Sequence, residues 1–405
     1  MGYTADSRAR LHSSRMIPKA DVTFVILNQQ MLSWIEIDAD AIKHNIQVFR
    51  SLLSEKSSLM VVVKANAYGH GLEAVAPIAA EYGDWLGVNA LDEAMAIRAL
   101  DIQKPVAILG HTAVRDLDTV VAHDFRQVVY RADVAWAISK SAESRQKTAR
   151  IHLKLETGTN RQGIPTSDLP GLVRAIQGMP GIEIEGAYTH FANIEDTLDP
   201  SFAIRQLDRF REALAVLGEL GVRPLLVHAA ATAGTLLYPD TQFAMIRLGI
   251  GTYGIWPSRE TQLAARERGR KLTLRPAMTW KTRIAQVKTI EPGEHVSYGL
   301  TFQATHQMKI AVLPIGYYDG YDRKLSNCGR ALVRGRAVPV IGRVAMNMTM
   351  LDVTDVPAEP EDEVVLLGRQ GNAEVRADEL ADKIGTIAYE VVSRINPLIP
   401  RIVSR

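Results

Sequence analysis

Eight short apolar runs, rich in valine and isoleucine, recur between residues 59 and 250. The segments between them carry the apolar spacing of helices, so the pattern is that of repeated strand–helix units. Eight strands with crossover helices in about 200 residues predict an α/β fold with a closed (β/α)8 TIM-type barrel, and a doubly wound open sheet is the alternative. The runs are residues 59–64, 85–89, 106–109, 127–130, 151–155, 184–190, 225–229 and 244–248.

The pattern changes after a joint rich in proline and arginine at residues 256–276. Residues 277–405 contain short alternating segments separated by glycine, proline and aspartate, which predict a mainly β C-terminal domain with one late helix at 377–384. We therefore expect a barrel over 41–270 and a β domain over 271–405. The expected strands of the second domain are 282–290, 309–314, 331–333, 338–341, 348–353 and 364–367.

Composition argues against several classes of partner. The 47 Lys and Arg residues and 45 Asp and Glu residues are interspersed and leave a net charge of +2, so we expect no nucleic-acid partner. No run approaches the roughly 20 apolar residues of a membrane helix, so no membrane partner is expected. The single cysteine, Cys328, fits a reducing, cytoplasmic location and rules out a zinc site built from several cysteines, and we expect no metal.

The first 32 residues differ from the rest of the chain. Three arginines precede only a short apolar run at 22–27 with no small-residue cleavage site, which argues against a signal peptide. We predict a disordered, dispensable leader over 1–32. The start codon stays open among three methionines, Met1, Met16 and Met31.

Lys64 follows the first apolar run, in the segment Val-Val-Lys-Ala-Asn-Ala-Tyr-Gly-His-Gly. In a barrel, its amine would lie at the mouth, where partial loss of water lowers the pKa of the amine and makes imine formation possible. The alternative is a lysine whose stem lies along apolar surface while its charge stays in water. Lys64 alone does not separate these two interpretations.

Four further polar residues finish or closely follow barrel runs: Glu156, His190, His228 and Arg247. Each of them alone could be a satisfied structural residue. Because the carboxyl ends of barrel strands meet at one face, the four together predict a ring of charged and imidazole groups around an active site.

The segment Arg247-Leu-Gly-Ile-Gly-Thr-Tyr-Gly contains a formal GxGxxG pattern. Pro257 interrupts the helix that a dinucleotide site needs, and the strand–helix–strand context with its downstream acid is missing, so we reject that interpretation. The backbone N–H groups of Gly249 and Ile250 instead predict a phosphate site after the eighth barrel strand, where this fold often holds one.

These residues resemble the motifs of the alanine racemase family, in the family's order and along nearly all of 33–402. The segment around Lys64 is similar to the family's pyridoxal-phosphate attachment segment. The resemblance implies a homodimeric enzyme that uses pyridoxal 5′-phosphate (PLP), with a strand at 33–40 joining the β domain. The further motifs are Lys154-Leu-Glu-Thr-Gly-Thr-Asn-Arg161, Thr189-His190-Phe-Ala, Arg247-Leu-Gly-Ile, Ser297-Tyr298-Gly, Gly316-Tyr317-Tyr-Asp-Gly, Gly342-Arg-Val-Ala-Met346 and Tyr389-Glu before Pro400-Arg401.

The resemblance implies a two-base alanine racemase. Lys64 would hold the cofactor and serve one face of the substrate Cα, while Tyr298 would serve the opposite face. A tyrosine with a pKa near ~10 is a poor base unless a cationic neighbour stabilises its phenolate, and His190 and Arg247 are the implied neighbours. Arg247 would also face the pyridine nitrogen, which would stay unprotonated because a guanidinium keeps its proton.

The resemblance also assigns cofactor and substrate contacts, with active sites shared between two subunits. Arg161 would orient the phenolic oxygen of PLP and the substrate carboxylate, braced by a carbamylated Lys154. Tyr317 and Met346 would reach the substrate entrance, Met346 from the second subunit. The implied phosphate ligands are Tyr68, Thr232, Gly249, Ile250 and Tyr389.

Two positions depart from the family pattern. Ala231-Thr232 stands where the family has Asn-Ser, which keeps a hydroxyl facing the phosphate and loses an amide. Asn347 stands where the family has Asp after Met346, which removes a charge beside the substrate. A racemase of broader specificity, for serine, lysine or another amino acid, is therefore one alternative. A non-catalytic PLP-binding protein is another, although the domain that bears Tyr298 argues against it.

Overall fold

The computed structural model describes residues 31–404. These residues form a closed eight-stranded parallel barrel followed by a mainly β domain, which confirms the fold class expected from the sequence. The leader predicted over 1–32 lies, apart from its last two residues, outside the described part of the chain.

The barrel strands pair in sequence order, and the last strand closes onto the first with Ser58 opposite Met245. They are short and mostly buried, because helices cover the outside of a parallel barrel while side chains fill its interior. The strands are β2 (Ser58–Val62), β3 (Trp85–Val88), β4 (Val106–Ile108), β5 (Arg126–Val129), β6 (Ala149–Lys154), β7 (Ile182–Tyr188), β8 (Leu226–His228) and β9 (Met245–Leu248).

Helices follow the strands on the outside of the barrel, and two more pack in the second domain. The helices are α1 (Ala39–Arg50), α2 (Leu72–Tyr82), α3 (Leu91–Ala99), α4 (Leu117–Ala122), α5 (Ala132–Ser144), α6 (Leu169–Gln177), α7 (Ser201–Glu219), α8 (Thr232–Leu237), α9 (Arg259–Glu267), α10 (Ala377–Ile384) and α11 (Ala388–Ser393). Helix α1 begins where Asp38 Oδ1 accepts a hydrogen bond from the N–H of Ala41 at 2.8 Å. Its buried face repeats at helical spacing through Ile42, Ile46 and Phe49. None of the helices within 31–404 is both long enough and apolar enough to cross a bilayer.

The remaining strands form two sheets. They are β1 (Ser33–Asp38), β10 (Met278–Arg283), β11 (Gln286–Ile290), β12 (Met308–Leu313), β13 (Arg330–Val333), β14 (Arg336–Pro339), β15 (Thr349–Asp352), β16 (Glu363–Gln370), β17 (Ala373–Val375) and β18 (Arg401–Ser404). A seven-stranded sheet has the order β14-β13-β16-β10-β1-β18, with β17 paired to β16, and β11, β12 and β15 form a three-stranded sheet. The strand that precedes the barrel, β1, thus lies between two strands from the C-terminal region.

The prediction of a single strand over 282–290 is wrong, because this segment turns from one sheet to the other. The N–H of Ile284 donates to the carbonyl of Asp362 at 3.0 Å, whereas the N–H of the next residue, Ala285, donates to Val312 at 2.9 Å. Ile284 is fully buried at the junction of the sheets. The alternating pattern therefore continues through a corner that the sequence does not mark.

Candidate active site

Lys64 lies at the carboxyl end of β2 and begins a left-handed turn. Ala65, Asn66, Ala67 and Tyr68 all have φ values of 53–54°. This region costs a non-glycine residue about 1–2 kcal/mol, so local preference opposes the turn and the surroundings must hold it.

Glu93 and Asn66 hold the turn from the barrel side. Glu93 Oε1 accepts from the N–H of Ala65 at 2.5 Å, and its other oxygen accepts from the N–H of Asn89 at 2.8 Å. Asn66 Oδ1 accepts from the N–H of Leu72 at 2.7 Å. The sequence does not mark Glu93 as a residue of the site, because nothing in its position indicates a contact 28 residues away.

The C-terminal domain holds the turn from the other side. Arg401 Nη2 donates to the carbonyl of Gly69 at 2.9 Å. Gly69 has φ of 82°, and a Cβ there would lie 2.0 Å from the carbonyl oxygen of Val392, so only glycine fits. The rings of Tyr68 and Tyr389 are 6.2 Å apart, which brings Tyr389 beside the turn.

Burial, together with the positive charges of Arg161 and Arg247, lowers the pKa of the Lys64 amine, while Glu93 acts in the opposite direction. A lysine with a lowered pKa is more often uncharged at neutral pH and can act as a nucleophile or a base. The geometry therefore favours the reactive interpretation of Lys64 over that of an ordinary solvated lysine.

Arg247 is buried on β9, and most of its N–H groups donate hydrogen bonds to barrel residues. Its Nη1 donates to His228 Nδ1 at 2.8 Å, and its Nη2 donates to the carbonyls of Thr189 and Ala229, both at 2.8 Å. Burial lowers the pKa of Arg247 to about 10, so the group is still a cation at neutral pH. Within residues 31–404 its Nε–H donates to no partner, which leaves one directed donor for a ligand.

His190 follows β7 and lies with Nδ1 3.4 Å from Arg247 Nη2. Burial and the charge of Arg247 hold the pKa of His190 well below its ordinary value, so the imidazole is neutral and keeps its proton on Nε2. Gln206 on α7 fixes this loop, since it donates to the carbonyl of His190 at 3.3 Å and accepts from the N–H of Ala192 at 2.8 Å. Gln206 was missed from the sequence because it looks like any polar helix residue.

Lys154 ends β6 and is buried beside a cluster of cations. Burial and the charges of Arg161 and Arg247 lower the pKa of Lys154 to about 8. Arg161 itself is exposed, on the loop that follows this strand. Glu156 is a structural residue of the same loop, because its Oε1 accepts from the N–H of Gly158 at 2.5 Å.

The backbone after β9 forms a small cradle. Gly249 and Ile250 are buried, and neither N–H donates to any other residue in the described chain. A Cβ at Gly249 would lie 2.8 Å from the hydroxyl of Tyr68, and burial raises the pKa of Tyr68 to about 12, so that hydroxyl keeps its proton. Thr232 Oγ1 accepts from the N–H of Gly251 at 3.3 Å, which leaves its own proton to donate. Buried donors without a partner are costly, so these N–H groups and hydroxyls indicate a site for a hydrogen-bond acceptor such as an anion.

Tyr298, Tyr317 and Met346 lie on neighbouring loops of the C-terminal domain. They are 73%, 42% and 54% exposed. The N–H of Tyr317 donates to the carbonyl of Ala345 at 3.0 Å, and Ser297 Oγ donates to the carbonyl of Arg343 at 2.7 Å, which joins their three loops. None of the hydrogen bonds or ring contacts found in 31–404 links Tyr298 to the barrel residues. We call this exposed surface the apolar patch: Tyr298, Leu300, Tyr317, Tyr318, Met346 and Met348.

Comparison with known proteins agrees with this geometry in both domains. Residues 37–257 match the model of the alanine racemase N-terminal domain, and residues 277–403 match that of the C-terminal domain. An alanine racemase of Leptospira interrogans is 39% identical over 376 residues, which cover 92% of this chain and 95% of the relative.

Solved structures show the same similarity. The alanine racemase of Streptomyces lavendulae has a TM-score of 0.87 at 35% identity, covering 93% of this chain and 97% of that one. A histidine racemase of Leuconostoc mesenteroides subsp. sake is also similar, with a TM-score of 0.83 at 26% identity over 93% of this chain and 99% of the other. With both domains matched over nearly all the described residues, this chain belongs to the alanine racemase family and is an isomerase.

Proposed function

We propose that this racemase interconverts L- and D-alanine with PLP attached to Lys64. One observation carries the proposal: the lysine with a lowered pKa, the unused Nε–H of Arg247 and the two unpaired N–H groups of Gly249 and Ile250 surround one barrel mouth. The names of the relatives support alanine as the substrate.

The residues present fit this cofactor. The N–H groups of Gly249 and Ile250, with the hydroxyls of Thr232 and Tyr68, would bind the phosphate, and Tyr389 lies beside them. The Nε–H of Arg247 would donate to the pyridine nitrogen. When bound, PLP supplies an electron sink that makes the Cα–H of the substrate more acidic.

Two residues would move the proton of the substrate. The Lys64 amine would take it from Cα on one face, and the phenol of Tyr298 from a second subunit would deliver a proton to the opposite face. His190 would position that phenol, because Arg247 occupies its Nδ1 and leaves Nε2–H free to donate. Since His190 is neutral, Arg247 supplies the positive charge that stabilises a phenolate.

Lys154 is proposed to be carbamylated. An amine whose pKa is lowered to about 8 has a larger neutral fraction that can attack carbon dioxide. The carbamate would place a negative charge among Arg161, Arg247 and Lys64, which would offset their mutual repulsion and orient Arg161 toward the carboxylate of the substrate.

The apolar patch is proposed as the surface that completes a partner's active site in a homodimer. Monomeric proteins rarely expose a contiguous group of large apolar side chains, and such groups mark interfaces. Tyr298 and Met346 are exposed on their own chain, whereas a two-fold pairing would present each patch to the other barrel mouth. Substrate entrance and second base would then come from the partner.

Borohydride reduction and a substrate panel test the proposal together. Reduction of the enzyme with PLP, followed by peptide mapping, should label Lys64, and Lys64→Ala should abolish both label and activity. A label on Lys154 or another lysine would overturn the assignment. Incubation with single L-amino acids should give D-alanine much faster than any other D-product.

A racemase of broader specificity is the second candidate, favoured by Asn347 and by the similarity to a histidine racemase. The same panel separates the two if it includes histidine, serine and lysine. Comparable rates for alanine and one of these three would replace the first candidate with the second.

A further inference from the structure

A chain of hydrogen bonds crosses the barrel interior beneath Arg247. Arg247 Nη1 lies 2.8 Å from His228 Nδ1, His228 Nε2 lies 3.0 Å from His152 Nδ1, and His152 Nε2 lies 3.3 Å from Glu185 Oε2. Both imidazoles are completely buried. We call these four residues the imidazole relay.

Two backbone features make room for the relay. The register of β6 and β7 shifts between Ile151 and His152, so that Glu185 has no opposite residue, and such a bulge turns a side chain away from its regular direction. The next residue, Gly186, leaves the space that the imidazole of His152 occupies, because a Cβ there would lie 2.7 Å from ring atoms. The bulge and Gly186 together therefore make room in β7 for the imidazole of His152.

Aromatic rings enclose the relay, and a charged pair ends it. His228 stacks on Tyr188 with centroids 4.7 Å apart, and Trp85 lies 5.9 Å from His152. Glu185 accepts from Arg126 Nε at 3.1 Å, and Arg126 also pairs with Asp124 at 2.8 Å at the amino end of β5. The relay thus extends from the barrel mouth toward its opposite end.

The two ends fix the position of every proton in between. A guanidinium can only donate, so His228 must accept at Nδ1 and carry its proton on Nε2. His152 must then accept at Nδ1 and donate from Nε2 to the carboxylate, which can only accept. Burial holds the pKa of both histidines below the ordinary value, so both are neutral. Burial alone would raise the pKa of Glu185, but its bonds to His152 and Arg126 bring it below the usual value, so it is ionised.

We propose that His152 and Glu185 are positioning residues for Arg247, because Glu185 fixes the direction of the relay and the relay holds the guanidinium in one orientation. The consequence for catalysis rests on the proposed function, in which the Nε–H of Arg247 faces the ring nitrogen of PLP. Without the carboxylate, only the guanidinium still opposes reversal of the two imidazoles, and a reversed His228 would direct Nδ1–H at the Nη1–H of Arg247. Two donors cannot face each other at 2.8 Å, so Arg247 would move.

Nitrogen NMR on the protein without cofactor tests the relay directly. In protein with ring-¹⁵N histidine, His228 and His152 should each be neutral with the proton on Nε2. Glu185→Gln should give a second tautomer at both rings, since an amide can donate as well as accept. Glu183→Gln is the matched control: it removes an exposed carboxylate on the same strand, and its partner is Arg150. A proton on Nδ1 of His228 in the wild-type protein would overturn the proposal, whether or not the enzyme proves to be a racemase.

Kinetics separate a positioning role from a purely structural one. Glu185→Gln should lower kcat for alanine by about ten-fold while KM changes less than about two-fold, because misdirected catalytic groups cost rate more than binding. His152→Leu should behave in the same way. His152→Gln should recover most of the rate, since its amide can accept from His228 and donate to Glu185. Equal losses of kcat in His152→Gln and His152→Leu would show that His152 contributes packing and does not set the direction of the hydrogen bonds.

Discussion

The barrel mouth and the apolar patch both carry proposed catalytic groups, but the mouth buries its groups and the patch exposes them. At the mouth, hydrogen bonds hold Arg247, the loop of His190 and the turn that Lys64 begins, and burial shifts the pKa of all three side chains. On the patch, Tyr298 is 73% exposed and Met346 is 54% exposed, and no hydrogen bond or ring contact among the described residues links Tyr298 to the mouth of its own chain.

This difference in burial separates the region that one chain organises by itself, the mouth, from the region that it leaves exposed, the patch. The mouth is preorganised, because a buried cation is tolerated only when most of its donors are matched, as those of Arg247 are apart from its Nε–H. The patch is an exposed apolar surface. The proposed function uses both regions, so experiments that remove or recombine their groups test it.

The largest effect is expected from hybrids of two inactive variants, Lys64→Ala and Tyr298→Phe. If each site takes Lys64 from one chain and Tyr298 from the other, a hybrid dimer has one intact site and one site lacking both groups. Random exchange of equal amounts makes half of the dimers hybrid, so roughly one quarter of wild-type activity should return. Activity is measured before and after exchange of subunits.

The control mixes each variant with itself, which should give nothing. If exchange is demonstrated by mass and no activity returns, the patch does not complete the neighbouring site, and Tyr298 must act on its own barrel or not at all.

Arg247→Glu should have the next largest effect, on the choice of reaction. A carboxylate in place of the guanidinium would favour a protonated ring nitrogen and a stronger electron sink. We expect racemisation to fall by about 10³-fold and pyruvate formation from alanine to rise, because the proton can then go to the wrong carbon. Arg223→Glu, which makes the same change at an exposed position outside both regions, is the control and should change neither rate. A normal product ratio in Arg247→Glu would show that Arg247 does not face the ring.

Much of the barrel could be predicted from the sequence, and the reasons are local. The apolar runs of parallel strands are continuous, and the polar residues that end them, such as Lys64 and Arg247, stand out against that background. The left-handed turn at 65–68 could not be predicted, because Ala and Asn residues there oppose it and Glu93 and Arg401 stabilise it from distant positions. The bulge at Glu185 leaves no signal for the same reason.

Gly249→Ala tests the phosphate cradle at the mouth and should have a moderate effect. The added methyl would lie 2.8 Å from the hydroxyl of Tyr68, so either that ring or the backbone must shift. We expect the affinity for PLP to fall about ten-fold, equal to about 1.4 kcal/mol, with little loss of stability in the protein without cofactor. Titration by absorbance measures it. Gly178→Ala, outside both regions and with only ordinary van der Waals contacts for the new methyl, is the comparison for any effect of a lost glycine.

The function proposed for the patch could not be predicted from sequence patterns, for a different reason. Tyr298, Tyr317 and Met346 are far apart in the chain and come together only when three loops meet. Exposed apolar side chains of this kind would be covered in the proposed homodimer. Resemblance to a family, rather than pattern, is what pointed to these residues.

The smallest effect is expected from His70, which lies under the left-handed turn and takes no part in the proposed chemistry. Its ring is completely buried against Tyr253, with centroids 4.3 Å apart, and burial lowers the pKa of His70 to about 4. An unfolded histidine has a pKa near 6.5, so between pH 6.5 and 4 the unfolded chain binds one more proton at this position than the folded one. Stability is therefore lost as the pH falls through this window, by up to about 1.4 kcal/mol per pH unit from this residue.

His70→Gln should remove that contribution, because its amide can still donate to the carbonyl of Tyr68, as the ring nitrogen does at 3.1 Å, and does not titrate. Urea unfolding from pH 7 to pH 4 should give a smaller slope of the unfolding free energy against pH in the variant, by about one proton. His306→Gln, which removes an exposed histidine from the C-terminal domain, should keep the wild-type slope. If His70→Gln also keeps it, the acid sensitivity belongs to the buried relay histidines, His152 and His228, whose pKa values are lowered in the same direction and for the same reason.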